Sequence, residues 1–430
     1  MRGLVLTMQT GDWLTRERVR LWALAVLVAS VGGLLFLWIT SNGLEDFQAK
    51  PLGTDFSNIY AGGTYVLEGK PEMAFDPALQ HARQKEIFGA HTPFYGWCYP
   101  PFLLFVAAAL ALLPYLPALL VWQAATFPLY LLAIWAILSS SLRERHSGDS
   151  KSKLSEELGR SRMWVLLAAS FPVVFINLGH GHNGFLTAAL IGGALVLLDR
   201  RPIVAGILFG LLAYKPQFGL LIPLVLIATG RWKTFAAAAA TVGGLVLAAT
   251  LAFGPQVWSA FFASTAFTRE IVLEAGDTGW HKLQSVFAWV RMWGGSVPLA
   301  YAVQMVVTLG LAIAVVWLWR SGTSARLKAA GLIFAALLAT PYSLDYDLMV
   351  LAPAIAFWAT DGLSRGFRPW EKTLLAALWL LPFIARSFPE ATSIPLGVPL
   401  LLTAFALLLQ RAADETEVSL GWILRPRSIK

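Results

Sequence analysis

The chain has 430 residues, of which 57% are apolar and only 13% charged, with a net charge of +8. Soluble domains carry about twice that share of charge, so a soluble globule is excluded. The surplus Lys and Arg cluster in short loops beside apolar runs, the pattern of the positive-inside rule rather than of a nucleic-acid partner.

Lipid leaves no water to satisfy backbone polar groups, and nothing suggests the alternating strands of a barrel. The expectation is an all-α polytopic membrane protein, with one membrane domain over residues 1–430. Cys98 is the single cysteine, so no internal disulfide can form. Residues 21–40 follow Arg2, Arg16, Arg18 and Arg20 and end in Trp38-Ile39-Thr40-Ser41-Asn42-Gly43, without a small-x-small cleavage site. This reads as a retained first span with the N-terminus inside.

Residues 41–98 then form a first external loop, with seven acids against four bases. Within it, 56–68 and 77–89 suit short amphipathic helices on the membrane surface, the second opening at Asp76-Pro77 in N-cap and N1 style. Between Pro101 and Pro114 lie only twelve residues, too few for a span of roughly 20. The segment 102–113 is therefore expected to dip into the outer leaflet, leaving 118–139 to cross inward. The following stretch, with Arg143, Arg145, Lys151, Lys153, Arg160 and Arg162, is then internal, and 143–162 is the nearest thing to a linker.

Spans 163–178 and 184–198 make a hairpin with its outer tip at Asn177–Gly184. Residues 203–229 start and finish beside basic residues but are too short for two full crossings. Two half-helices broken at Lys215-Pro216 fit, and an ionisable residue at such a break is expected to be buried and functional. Span 234–253 goes out, 254–296 is a second external loop, and 297–319 returns to Arg320, Arg326 and Lys328. Segments 329–340, 348–360, 373–385 and 395–410 complete the bundle, with the C-terminus inside.

This topology gathers Asp55, His81, His91, His180, His182, Asn183, Lys282, Arg291, Asp345 and Asp347 toward the outer side, with Lys215 deeper. Each has a plainer explanation. An aspartate beside a span is commonly a helix cap, Lys215 suits a structural ion pair, and Arg291 suits a snorkelling side chain. Asp345 and Asp347 suit helix ends. His180 and His182 lack the spacing of a helical metal pair, so a hydrogen-bonded turn is favoured over a metal site.

The ordered set changes that balance. Asp55-Phe56 with Tyr60-Ala61-Gly62-Gly63, Tyr99-Pro100-Pro101 with Leu112-Leu113-Pro114, and Gly181-His182-Asn183-Gly184 come first. Ala205-Gly206 through Gly210-Leu211 to Lys215-Pro216, then Arg231-Trp232, then Pro341 through Asp347 follow in order over residues 20–360. This series resembles glycosyltransferase family 87 of the GT-C superfamily, polytopic enzymes that use polyprenyl-phosphate sugars. The resemblance implies a GT-C-like bundle of roughly 10–12 transmembrane helices, some short, broken or re-entrant.

It also implies an extracytoplasmic site, a lipid-linked donor and a catalytic Asp55. Donor-phosphate contacts would come from Lys215, Lys282 and Arg291, and sugar or acceptor contacts from Asn58, Tyr60, His182, Asn183 and Asp345. The expected reaction moves mannose or another hexose or pentose from a polyprenyl-phosphate donor to a lipid or glycan acceptor by one inverting displacement. No cofactor beyond the lipid-linked donor is expected, and a divalent metal is left open. The setting implied is a bacterial inner membrane with both termini cytoplasmic. Two departures stand out: Gly181-His182-Asn183 replaces the Gly-Gln-Asn common at the tip, and 341–347 lacks the histidine that some members carry. A transporter or flippase of a lipid-linked or small polar substrate is the competing class, but it needs a polar path to both faces, and here the polar set is biased outward.

Overall fold

The computed structural model describes residues 2–144 and 163–424. The six basic side chains of the 140–162 segment lie outside the described set. Among the described residues the chain is all-α, with isolated bridges such as Leu283↔Leu344 in place of strands. Five helices are long and apolar enough to cross a membrane: Arg16–Ile39, Tyr115–Ser140, Trp232–Phe253, Val297–Arg320 and Gly397–Glu415. Val28, Leu251 and Ile313 on these helices are each at least 70% exposed in the isolated chain, as lipid-facing side chains should be.

The shorter apolar helices owe their ends to proline. Pro101–Ala111 runs between Pro100-Pro101 and Pro114. Pro202–Tyr214 and Pro216–Ala228 are separated at Lys215, whose backbone (φ −123°, ψ 75°) is driven out of the helical region by the proline that follows. A third break was not expected. The stretch read as one span, 163–178, is two helices, Met163–Ala169 and Pro172–His180, meeting at 49°. Pro172 has no N–H to continue the first helix and disfavours helical geometry at Phe171.

Glycines fix the tightest approaches. The Thr54–Leu67 helix crosses Leu104–Ala111 where a Cβ on Gly63 would stand 2.1 Å from the Ala107 carbonyl oxygen. Gly62 lies against the Trp97 indole. Gly206 and Gly210 likewise admit the backbone carbonyls of Thr234 and Ala238 on the Trp232–Phe253 helix. The small-residue motifs of the sequence are thus helix contacts. Thr54–Leu67 is packed into the bundle around most of its circumference, through Phe56, Ile59, Ala61 and Tyr65. Pro77–Phe88 buries only the stripe Gln80, Gln84 and Phe88, and Asp76 caps it by accepting from the N–H groups of Ala78 and Leu79.

Leu351–Arg365 and Glu371–Ile384 run away from and back to the end of the bundle that carries Asp345 and Arg386. At their far ends Arg411 pairs with Asp361 (2.7 Å), Glu371 (2.9 Å) and Glu415 (3.3 Å). This buried cluster pins three helices together opposite the site.

Candidate functional site

Asp55 lies in the first turn of the Thr54–Leu67 helix, where the exposed N–H groups favour an anion. Gly53 enters that helix at φ +74°, and the Tyr115 hydroxyl locks the turn by donating to the carbonyls of Leu52 (2.6 Å) and Gly53 (3.1 Å). One Asp55 oxygen, Oδ2, is buried and has no hydrogen-bond partner among the described residues. Burial pushes the Asp55 carboxyl above its ordinary range; His180, Lys215 and Arg386 pull it down, and Asp345 pushes it further up.

The hairpin tip is docked onto this turn. Gly181 (φ +61°) leaves no room for a Cβ, which would stand 2.6 Å from the Phe56 Cβ. Trp122 Nε1 donates to the Gly181 carbonyl (3.1 Å), and Thr54 Oγ1 is hydrogen-bonded to His180 Nδ1. His182 stacks on Tyr346 with ring centroids 3.7 Å apart, and its Nδ1 lies 3.3 Å from Asn177 Oδ1. Asn177 closes the tip, donating to the Tyr346 carbonyl (3.2 Å) while accepting from Gly184 N (3.0 Å). Asn183 is fully buried, yet neither atom of its side-chain amide has a partner among the described residues. Asn58 Oδ1 is in the same condition. Tyr60 is otherwise engaged: its hydroxyl donates to the Leu113 carbonyl (2.9 Å).

Two ion pairs flank Tyr346. Lys215 Nζ lies 2.5 Å from Asp347 Oδ1, and both residues are at most 3% exposed. Asp347 Oδ2 accepts from Leu344 N (3.1 Å). Asp345, also buried, receives Arg386 Nη2 (2.7 Å) and Nε (2.8 Å) on Oδ2, and Tyr346 N (3.0 Å) on Oδ1. Lys282 comes to the same place because the second loop pairs with the Asp345 segment, through the Leu283↔Leu344 bridge and Gln284 N donating to the Ser343 carbonyl (2.7 Å). Burial and the nearby Arg386 hold the Lys282 ammonium below its ordinary range, while Asp345 and Asp55 act the other way.

The structure therefore brings Asp55, Lys215, Lys282, His182 and Asp345 into one cluster. Arg291 is elsewhere, donating to the carbonyls of Gly295 (2.7 Å) and Glu274 (3.0 Å) and lying 4.5 Å from the Trp280 ring centroid. Arg386 was not anticipated, although it follows the Glu371–Ile384 helix, where the topology expected from the sequence has an external turn and the positive-inside pattern disfavours an arginine. Among the described residues no group of three His, Cys, Asp or Glu side chains is arranged to hold a metal.

A family model for glycosyltransferase family 87 matches residues 97–341, a range that includes His182, Asn183, Lys215 and Lys282. No curated protein and no solved structure matches the chain. With apolar membrane-length helices throughout and a match spanning more than half of its length, the chain belongs to glycosyltransferase family 87 and is a membrane glycosyltransferase.

Proposed function

We propose that the protein transfers a sugar from a polyprenyl-phosphate donor to a hydroxyl of a lipid or glycan acceptor, with Asp55 as general base. The observation that carries this reading is the Asp55 carboxylate, which has one buried oxygen with no partner among the described residues and stands in a cluster of charged groups. A structural cap or ion pair would use that oxygen. A base awaiting a hydroxyl would not, and its raised proton affinity suits proton abstraction near neutral pH.

Phosphate is a good leaving group, so the displacement needs no strong general acid. The acceptor oxygen attacks the anomeric carbon as its proton passes to Asp55, and the carbon–oxygen bond to the phosphate breaks. The departing polyprenyl phosphate keeps that bonding pair. One such step inverts the anomeric centre. Lys282, which has no direct carboxylate partner among the described residues, is the better cation for the phosphate. Lys215 is neutralised by Asp347 and holds the Tyr346 segment instead. Asn183 and Asn58 offer unpartnered amide groups to sugar hydroxyls. The site is taken as extracytoplasmic, in an inner membrane with cytoplasmic termini, because basic residues such as Arg365, Arg368 and Arg411 gather at the opposite end of the bundle.

The test is to incubate purified protein with a panel of polyprenyl-phosphate sugars and glycolipid acceptors and to score products by mass. Asp55→Asn should abolish transfer while leaving expression and membrane insertion intact. Near-normal turnover by that variant would defeat the assignment.

A further inference from the structure

Two carboxylates meet at this site, Asp345 buried and Asp55 half-buried with one enclosed oxygen, and only Asp345 has its own cation. The contacts run continuously between them. Thr54, next to Asp55, is hydrogen-bonded to His180. The His180 ring lies 6.5 Å from that of Tyr346, and Tyr346 N donates to Asp345 Oδ1 (3.0 Å). Arg386 approaches the other Asp345 oxygen through two nitrogens, at 2.7 and 2.8 Å. Like charges in one poorly hydrated pocket resist ionising together, and the proton they then share belongs to the pair.

We infer that Arg386 is a positioning residue whose pairing with Asp345 leaves Asp55 as the ionised carboxylate that takes the acceptor's proton. This rests on the reading of Asp55 as general base. The charged groups facing Asp55 are His180 at the end of the Pro172–His180 helix, Lys215 at the broken span, Lys282 from the second loop, Asp345 and Arg386. Lys215 already answers to Asp347, and Lys282 lies beside Arg386 and Lys50. The other titratable neighbours are Cys98 and tyrosines such as Tyr99, Tyr115, Tyr342 and Tyr346. They are neutral across the acid range, where the base must lose its proton. Arg386 is thus the group that decides whether Asp345 adds a negative charge to the pocket.

The experiment is the pH profile of kcat/KM for the full-length protein and for Arg386→Gln, Arg386→Lys, Asp345→Asn and the double variant Arg386→Gln/Asp345→Asn. Arg386→Gln should move the acid limb upward by about one pH unit, the size of effect a neighbouring like charge exerts. On the acid side of both limbs activity should fall about tenfold, and it should recover at higher pH. Arg386→Lys should restore most of the profile, and the double variant should return the limb close to wild type because both members of the pair are gone. The Arg386 side chain is 43% exposed, so its replacement opens no interior cavity. If Arg386→Gln fails to fold, the wild type and Asp345→Asn still decide the matter: removing Asp345 leaves Arg386 unopposed and should lower the limb, and an unmoved or raised limb overturns the inference. An acid limb that stays put in Arg386→Gln, or a double variant displaced as far as the single one, overturns the inference. Turnover by Asp55→Asn would instead sink the underlying assignment of the base.

Discussion

Substituting Lys215 separates a structural cation from a ligand-binding one. Lys215 and Asp347 are 2.5 Å apart and almost wholly enclosed, with side-chain exposures of 4% and 1%. Removing one partner of such a pair strands the other charge and costs about 3–5 kcal/mol, whereas replacing both with apolar groups is close to neutral. Lys215→Met alone should therefore destabilise the protein by about 3–5 kcal/mol, because Asp347 keeps only the Leu344 N–H. Lys215→Met/Asp347→Leu should recover most of that loss, and the double-mutant cycle should give a coupling on the order of 3 kcal/mol. The assay is reversible unfolding in detergent micelles, followed by tryptophan fluorescence, with donor KM measured on the folded fraction. A stable Lys215→Met variant with a strongly raised donor KM would refute the argument, since it would make Lys215 a donor ligand rather than half of a closed pair.

Other outcomes follow from the same geometry. Gly63→Ala drives a methyl to 2.1 Å from the Ala107 carbonyl oxygen, so it should destabilise by about 1–3 kcal/mol, read as a lower unfolding midpoint. Asp55→Asn should be more stable than wild type at neutral pH. The folded-state pKa of Asp55 is raised by burial, so the wild type carries a penalty at pH values above that folded pKa and loses it as acidification protonates both states. The difference in Tm between the two proteins should therefore shrink toward pH 4; a less stable Asp55→Asn at pH 7.5 would contradict it. Arg411→Met removes the cation that Asp361 and Glu371 share, leaving Asp361 only the longer 3.5 Å pairing with Arg365, and should cost about 3–5 kcal/mol in the same unfolding assay.

What the sequence disclosed tracks how local each cause is. Proline acts on its own neighbours, so the short 101–111 helix, the break at Lys215 and the cap at Asp76 were readable from spacing alone. Pro172 acts in the same way, but it sits inside an apolar run of span length, and length prevailed over chemistry in the reading of 163–178. Pairings across the chain were out of reach. Lys215 meets Asp347 across 132 positions and Asp345 meets Arg386 across 41, and no periodicity links such residues. The glycines of Tyr60-Ala61-Gly62-Gly63 looked like part of a site motif, and they are there for close packing. By charge alone Arg291, within the second external loop, suits a phosphate, yet it spends that charge on backbone carbonyls.

The docking of Gly181 onto Phe56 joins the hairpin tip, within the span matched to the family, to the turn that carries Asp55, which precedes that span. At Gly181 the two pieces meet backbone to hydrocarbon, beside the Thr54–His180 hydrogen bond, so the base takes part of its aim from packing alone. Enlarging residue 181 would rotate that aim while every hydrogen-bonding residue of the site stayed in place, and catalysis could be lost there without altering any group that performs chemistry.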